Sequence, residues 1–308
     1  MGHPFSHPSA KSLLRRVAVL FSASDTFILK DSNIVFVCGG PLVKGSMDDK
    51  PSMRKLFCDY AKENLKILRL FLAEDAEKDY VSHDDPDFHN IGEFEEIIGS
   101  VSDCLIIFPE SPGSFAELGY FSAQLKLRKK ILIVNDYTLQ GEDSFISRGP
   151  IEIIDKHSDF KPTIQMQFTQ EANFDMVKKR LEKRITGSKR SKFQFTDYNS
   201  LTGKEKFFIV FSLVELFVTI TFDALEFCFK SVFAHSNKED LRHLLSILVA
   251  AKLVVRKGPL HDYFSVSIDA KPFIEFDSLN AQEFRLEVLE FYQREFPQVA
   301  VLCTESEQ

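Results

Sequence analysis

Residues 103–120 read DCLIIFPESPGSFAELGY, and the order of chemistry in that stretch decides the fold. Asp103–Phe108 is apolar almost throughout, as a strand covered on both faces must be. Pro109–Ser114, with two prolines and a glycine, stops that strand and turns the chain. Phe115–Leu127 then carries apolar residues at helical spacing. Strand, tight turn and helix in this order form the βα half of a parallel-sheet unit.

Working outward, the same pattern repeats. Asn33–Cys38 (NIVFVC), Lys66–Leu72 (KILRLFL) and Lys130–Asn135 (KILIVN) are further short, nearly continuous apolar runs. Met53–Leu65 and Ile91–Ile98 supply amphipathic helices between them. The expected fold is α/β, a Rossmann-like open and mostly parallel sheet. In such sheets ligands collect at the carboxyl ends of strands, where neighbouring loops diverge and leave a crevice. Three polar or glycine-rich junctions follow the predicted strands: Cys38-Gly39-Gly40-Pro41, Ala73-Glu74-Asp75, and Pro109 to Ser114.

A chain of 308 residues exceeds the common domain size of about 100–200 residues, so two compact units are expected. The expected divisions are a lead-in over 1–30, the α/β domain over 31–160, a basic helical connector over 161–200 and a second domain over 201–308. In the last, Lys204–Thr219, Phe222–Ala234 and Lys238–Ala251 read as helices, with Ser236-Asn237 offering a cap for the third. Leu253–Gly258 and Tyr263–Val266 then read as a hairpin. Helices followed by a hairpin predict a mainly α winged helix-turn-helix domain.

The net charge of -7 argues against a uniformly basic nucleic-acid coat, while a local basic patch stays open. Five cysteines without CxxC spacing fit a reducing compartment, and a cytoplasmic location is expected. Phe207–Val218 is strongly apolar but contains Ser212 and Glu215, which predicts a buried helix rather than a membrane span.

Glu117 stands near the start of the predicted helix, where unpaired N–H groups and the helix dipole favour anionic ligands. Two readings of it are open. Ser114-Phe115-Ala116-Glu117 matches a capping box, in which the glutamate only binds backbone. Alternatively, Glu117 faces a sugar: glycosidic cleavage builds oxocarbenium charge that one carboxylate stabilises or captures while a second handles protons. Glu110 and Glu74-Asp75, also at strand ends, favour the second reading.

Cys38-Gly39-Gly40, FPESPGSFAELG at Phe108–Gly119 and SFISRGP at Ser144–Pro150 resemble the nucleoside deoxyribosyltransferase-like effectors of bacterial retrons. The resemblance covers most of Asn33–Pro150, and the winged-helix pattern matches their C-terminal arrangement. It implies that Glu117 attacks the anomeric carbon and carries a glycosyl-enzyme intermediate. The transferases place an aspartate six positions earlier, where this chain has Ser111, with Glu110 one place before it. Retron effectors of this type are associated with cutting the nicotinamide–ribose bond of NAD, so the resemblance implies an N-glycosidase with NAD as substrate and no separate cofactor. It also implies restraint by a retron reverse transcriptase with its msDNA and noncoding RNA, release on phage infection, and a homo-oligomer or higher assembly, with no membrane partner.

Substrate contacts are expected from Gly39, Gly40, Asp75, Glu110, Ser111, Gly113, Ser114 and Arg148. Against these stand plainer readings: a glycine turn, a solvated acidic loop, a loop-stabilising arginine. His83 and His89 flank three aspartates without any established ligand spacing, and no metal is expected. Lys178, Lys179, Lys183 and Arg184 form the strongest basic concentration, with Arg242, Arg256 and Lys257 later in the chain. Such runs are usually solvated faces; beside a winged helix they are candidates for phosphate contact. A non-catalytic, nucleotide-sensing regulator that binds nucleic acid, and a true deoxyribosyltransferase, are the alternative functions.

Overall fold

The computed structural model describes residues 3–23, 25–29, 32–42, 51–66, 68–72, 91–138, 143–185, 190–193, 197–260 and 262–304. Among them the chain forms two compact units. One is the α/β unit, residues 30–73 and 89–189; the other gathers the N-terminal residues 1–29 with 190–308.

The α/β unit contains β2 (Asn33–Cys38), α2 (Met53–Asn64), β3 (Leu68–Leu72), α3 (Ile91–Val101), β4 (Cys104–Ile107), α4 (Pro112–Ala123), β5 (Ile131–Asp136), α5 (Glu152–His157), β6 (Ile164–Met166) and α6 (Asp175–Arg184). Its sheet has the order β3-β2-β4-β5-β6, and every neighbouring pair is parallel. β2 is flanked by β3 on one side and β4 on the other, so strand order reverses there. The topological switch point therefore lies between β2 and β4, whose register sets Cys38 against Ile107.

Both faces of the sheet are buried, which is why the strands read as continuous apolar runs. Val35, Val37, Ile106, Leu132 and Val134 pack with Phe57 and Ala61 of α2 and Val177 and Leu181 of α6. Phe57, Phe108 and Phe174 lock this layer with ring centroids 5.4–6.2 Å apart. Strand alternation sends Ile34, Phe36 and Cys38 to the opposite face, together with Leu105, against which Gly99 of α3 rests. The region expected as a basic connector thus contributes β6 to the sheet edge and α6 to the core.

In the other unit, α1 (Lys11–Ser22) is no loose lead-in, because Leu13, Val17, Leu20 and Phe21 are buried. β1 (Phe27–Ile28) pairs antiparallel with β7 (Ser191–Lys192) and β11 (Ile274–Glu275). α7 (Gly203–Leu216) starts with a capping box between Thr202 and Glu205 and buries almost every residue from Phe207 onward. Among the described residues no helix is long and apolar enough to cross a membrane. β8 (Ile220–Thr221), α8 (Phe222–Phe233), α9 (Lys238–Ala250), β9 (Val254–Lys257) and β10 (Tyr263–Val266) follow, with sheet order β8-β10-β9. Asn237 caps α9, accepting from the Asp240 N–H. Gly258, at φ 83°, takes the left-handed conformation that begins the β9–β10 turn. α10 (Ser278–Glu295) and α11 (Pro297–Thr304) close the unit, and the Tyr292 hydroxyl donates to the Thr219 carbonyl from a fully buried position.

Candidate active site at the strand switch point

The loops after β2 and β4 meet at the switch point, and the second holds the first in place. The Glu110 carboxylate accepts from three backbone N–H groups: Gly40 at 2.8 Å, Met53 at 2.7 Å and Arg54 at 3.0 Å. It thereby caps the start of α2 and ties it to the glycine loop, an arrangement favoured by the positive end of the helix dipole. The two glycines make room for this. A Cβ on Gly39 would lie 2.7 Å from Arg54 Cβ and 2.9 Å from Glu110 Oε1, and one on Gly40 would lie 2.8 Å from Ser52 Cβ. The space that they leave is occupied by the chain's own side chains.

α4 begins one turn earlier than the Ser114–Glu117 capping reading required. Its N-cap is Ser111, whose hydroxyl accepts from the Ser114 N–H at 3.2 Å, while the Ser114 hydroxyl accepts from the N–H groups of Glu110 and Ser111. Ser111 also donates to the Gly39 carbonyl at 3.3 Å. Ser114 therefore closes the β4–α4 turn on itself, and Ser111 fastens that turn to the β2 loop. Pro112 and Gly113 are the exposed members of the turn, and only the Ser111 hydroxyl lies near the place of the missing Gly113 Cβ.

With the cap supplied by Ser111, Glu117 falls in the second turn of α4. It is half-buried, and its Oε2 is removed from solvent. The Cys38 thiol stands at the carboxyl end of β2, within electrostatic reach of the Glu117 carboxylate. Burial above all, then the charges of Glu117 and Glu95, push that thiol well up, while the nearby Arg54 guanidinium opposes them. Glu95 of α3 and Arg54 of α2 are 7% and 3% exposed. Two carboxylates, one guanidinium and one thiol thus share a largely dry end of the sheet. Such a group can oppose developing positive charge and present a carboxylate oxygen to an electrophilic carbon.

Sequence reasoning passed over Arg54, Glu95 and Cys38, although two of them carried signals. An arginine in the first turn of a helix opposes the dipole and needs another partner. Glu95, four residues after Ile91 and three before Ile98, sits on the apolar stripe of α3.

The remaining candidates lie elsewhere. Arg148 is exposed and ion-paired with Asp143. Asp75, like Glu74 and the histidine–aspartate stretch 83–89, lies outside the described residues. Lys179, Lys183 and Arg184 project from α6, and Lys178 lies 4.0 Å from Glu182. Arg242 stands over the Phe222 ring at 5.2 Å and Arg256 over Phe264 at 5.1 Å. Lys257 donates to the Leu302 carbonyl at 3.1 Å, within α11. The first basic set belongs to the α/β unit and the second to the other unit.

Fold and site together define a doubly wound α/β unit with carboxylates at its strand switch point, beside a helix-rich unit that carries small antiparallel sheets. The chain belongs to the STM3845 retron effector protein family, whose model matches residues 50–256. It is 25% identical over 276 residues to an Escherichia coli protein described as "Retron Ec86 putative ribosyltransferase/DNA-binding protein", covering 84% of this chain and 85% of that one. It is 35% identical over 125 residues to the E. coli "Retron Ec73 putative ribosyltransferase/DNA-binding protein", covering 40% and 38%.

Proposed function

We propose that this retron effector is an N-glycosidase that hydrolyses the nicotinamide–ribose bond of NAD through Glu117, and that a reverse transcriptase–msDNA complex restrains it until phage infection. A Glu117 oxygen bonds to the anomeric carbon as the carbon–nitrogen bond breaks. The bonding pair leaves with nicotinamide, whose ring nitrogen is cationic before cleavage and neutral after it, so little acid catalysis is needed. Water then attacks the glycosyl ester, releasing ADP-ribose and a proton and restoring the carboxylate.

The observation that carries this reading is the transfer of the capping role to Ser111. It leaves Glu117 at the carboxyl end of β2, against Cys38, in the place where open α/β sheets take ligands. The relatives described as ribosyltransferases support chemistry at a ribose carbon. Their description as DNA-binding proteins supports a second role for the helical unit. Its succession α7, β8, α8, α9, β9, β10, with sheet order β8-β10-β9, supports reading it as a winged helix. We assign Lys178, Lys179, Lys183 and Arg184 of α6, and Arg242 and Arg256 of the helical unit, to phosphate contact with the regulatory nucleoprotein.

The test is release of free nicotinamide from NAD by the full chain, alone and co-expressed with the retron complex. Turnover that disappears in Glu117→Gln supports the enzyme. Saturable NAD binding without turnover in either preparation supports a nucleotide sensor, and base exchange between nucleosides supports a deoxyribosyltransferase.

A further inference from the structure

Three basic segments of the α/β unit meet at the amino end of its sheet. Residues 124–130, between α4 and β5, carry Lys126, Arg128, Lys129 and Lys130 and no acid. Residues 178–184 of α6 carry five cations against Glu182. Residues 156–161, which lead towards β6, hold Lys156 and Lys161 beside Asp159.

Hydrogen bonds fix the three segments together. The Asp159 N–H donates to the Lys129 carbonyl at 2.9 Å, and the Ser158 hydroxyl donates at 2.5 Å to the carbonyl of Ile131, the first residue of β5. Arg180 Nη1 donates to the carbonyls of Phe160 and Pro162, the latter at 2.8 Å. Lys130 Nζ donates to the Ser100 and Ser102 carbonyls at 3.0 and 2.8 Å, closing the end of α3. Lys130 and Arg180 thus serve the fold.

The other cations are used differently. Lys126, Lys129, Lys161, Lys179, Lys183 and Arg184 are exposed, and among the described residues none of them takes part in an ion pair. The last turn of a helix favours cations, which accounts for Lys183 and Arg184. It does not account for Lys126 and Lys129, which follow α4 outside its last turn, nor for Lys179, whose like charge four residues before Lys183 weakens the helix. The chain as a whole is acidic, at -7, so this concentration is a local field and not a general one. Among the described residues, Leu125 is the one large apolar side chain exposed within these segments, whereas a lipid surface calls for an apolar face as well. Separate cations spread over three segments, with Lys179 and Lys183 about 6 Å apart along α6, match the repeating charge of a nucleic-acid backbone.

We propose that the amino end of the α/β sheet is a second nucleic-acid-binding surface, where Lys126, Lys129 and Lys161 join Lys179, Lys183 and Arg184 in contacting phosphates. This extends the phosphate assignment of α6 from one helix to a surface, and it rests on the reading of the regulatory partner as a nucleoprotein. It does not rest on the glycosidase reading. Glu117 stands at the carboxyl end of the sheet, and β5 alone spans about 17 Å between the two ends. Nucleic acid held here tethers the α/β unit without lying against Glu117.

The experiment titrates a fluorescent DNA hairpin with the full chain at several salt concentrations, using two unrelated stem sequences. Lys126→Ala with Lys129→Ala is expected to flatten the log–log salt slope by about 0.9 for each lost contact and to weaken both hairpins alike, with Tm unchanged. Lys126→Arg with Lys129→Arg is expected to bind as the parent does. Arg148→Ala, which removes an exposed cation that follows the carboxyl end of β5, is expected to leave the slope as it is. An unchanged slope in the Lys126 and Lys129 alanine pair overturns the surface, and if Lys179→Ala with Lys183→Ala still flattens it, the assignment of α6 alone survives. A parent that binds neither hairpin at low salt overturns the surface together with the nucleoprotein reading. Phosphatidylserine vesicles or polyglutamate that bind more tightly than DNA, and lose that binding in the alanine pair, assign the surface to a membrane or an acidic protein and overturn the proposal. None of these readouts uses nicotinamide release, so their failure leaves the glycosidase reading intact.

Discussion

Replacing Glu110 by alanine tests whether that carboxylate serves the fold or the substrate. It accepts three backbone hydrogen bonds of 2.7–3.0 Å, from Gly40, Met53 and Arg54. A hydrogen bond to a charged group contributes about 1.5–3 kcal/mol, and a charge at a helix N-terminus a further 0.3–1 kcal/mol or so. Two of the three donors lie in the first turn of α2, and three bonds to one carboxylate do not add independently. The expected destabilisation of Glu110→Ala is therefore about 3–4 kcal/mol, below the simple total. For a domain of this size that lowers Tm by about 6–16 °C. Glu110→Gln retains one oxygen for Gly40 and Arg54 but turns its amide N–H groups towards Met53 N–H, so an intermediate loss is expected. Calorimetry and urea unfolding of both variants, read beside nicotinamide release, decide the matter. A Glu110→Ala protein that unfolds within about 1 kcal/mol of the parent, yet has lost turnover, would refute the structural assignment and return Glu110 to the substrate.

Three further outcomes follow from the same kind of accounting. Burial, above all else, pushes the Cys38, Cys104 and Cys228 thiols well up. Unfolded thiols lose protons near pH 8.5, roughly, so the unfolded state binds fewer protons above that pH and stability falls as pH rises; below it the contribution is fully present. Urea midpoints are expected to decline above that pH, with a shallower slope in Cys228→Ala, and a thiol reagent is expected to label no more than Cys303 before unfolding. Lys257→Met is expected to lower Tm by about 2–4 °C, because Lys257 donates to the last turn of α11. Lys179→Ala with Lys183→Ala is expected to leave Tm unchanged and to reduce the salt dependence of msDNA binding, by about 0.9 in the log–log slope per lost phosphate contact. Filter-binding titrations at several salt concentrations check the lysine double variant.

The parts of this architecture legible in the sequence are those in which one physical demand acts on consecutive residues. Burial on both faces demands unbroken apolar runs, and so β2, β4 and β5 appear within a residue of their expected places. β6 has three residues, of which only Ile164 is buried, too short a run to carry that signal. The order β3-β2-β4-β5-β6 depends on packing among segments distant in sequence, and no local pattern records it.

The site divides in the same way. Two overlapping cap signatures, Ser111 to Ser114 and Ser114 to Glu117, compete in one stretch, and Pro112 at the first helical position favours the former. Choosing that cap releases Glu117 from the backbone and makes its carboxylate available for chemistry. Glu110 and Glu95 exchange their expected importance for a related reason. A carboxylate beside a glycine loop looks like a ligand contact, but three backbone donors converge on Glu110 only once α2 has folded against the strand end. Glu95 looks like a helix residue interrupting an apolar stripe, and only the folded packing shows it to be 7% exposed at the end of the sheet. The glycines after β2 connect the two observations, since the room left by Gly39 is taken by Arg54. A residue pair that reads as a phosphate loop is thus, in this fold, the room into which Arg54, Ser52 and Glu110 pack.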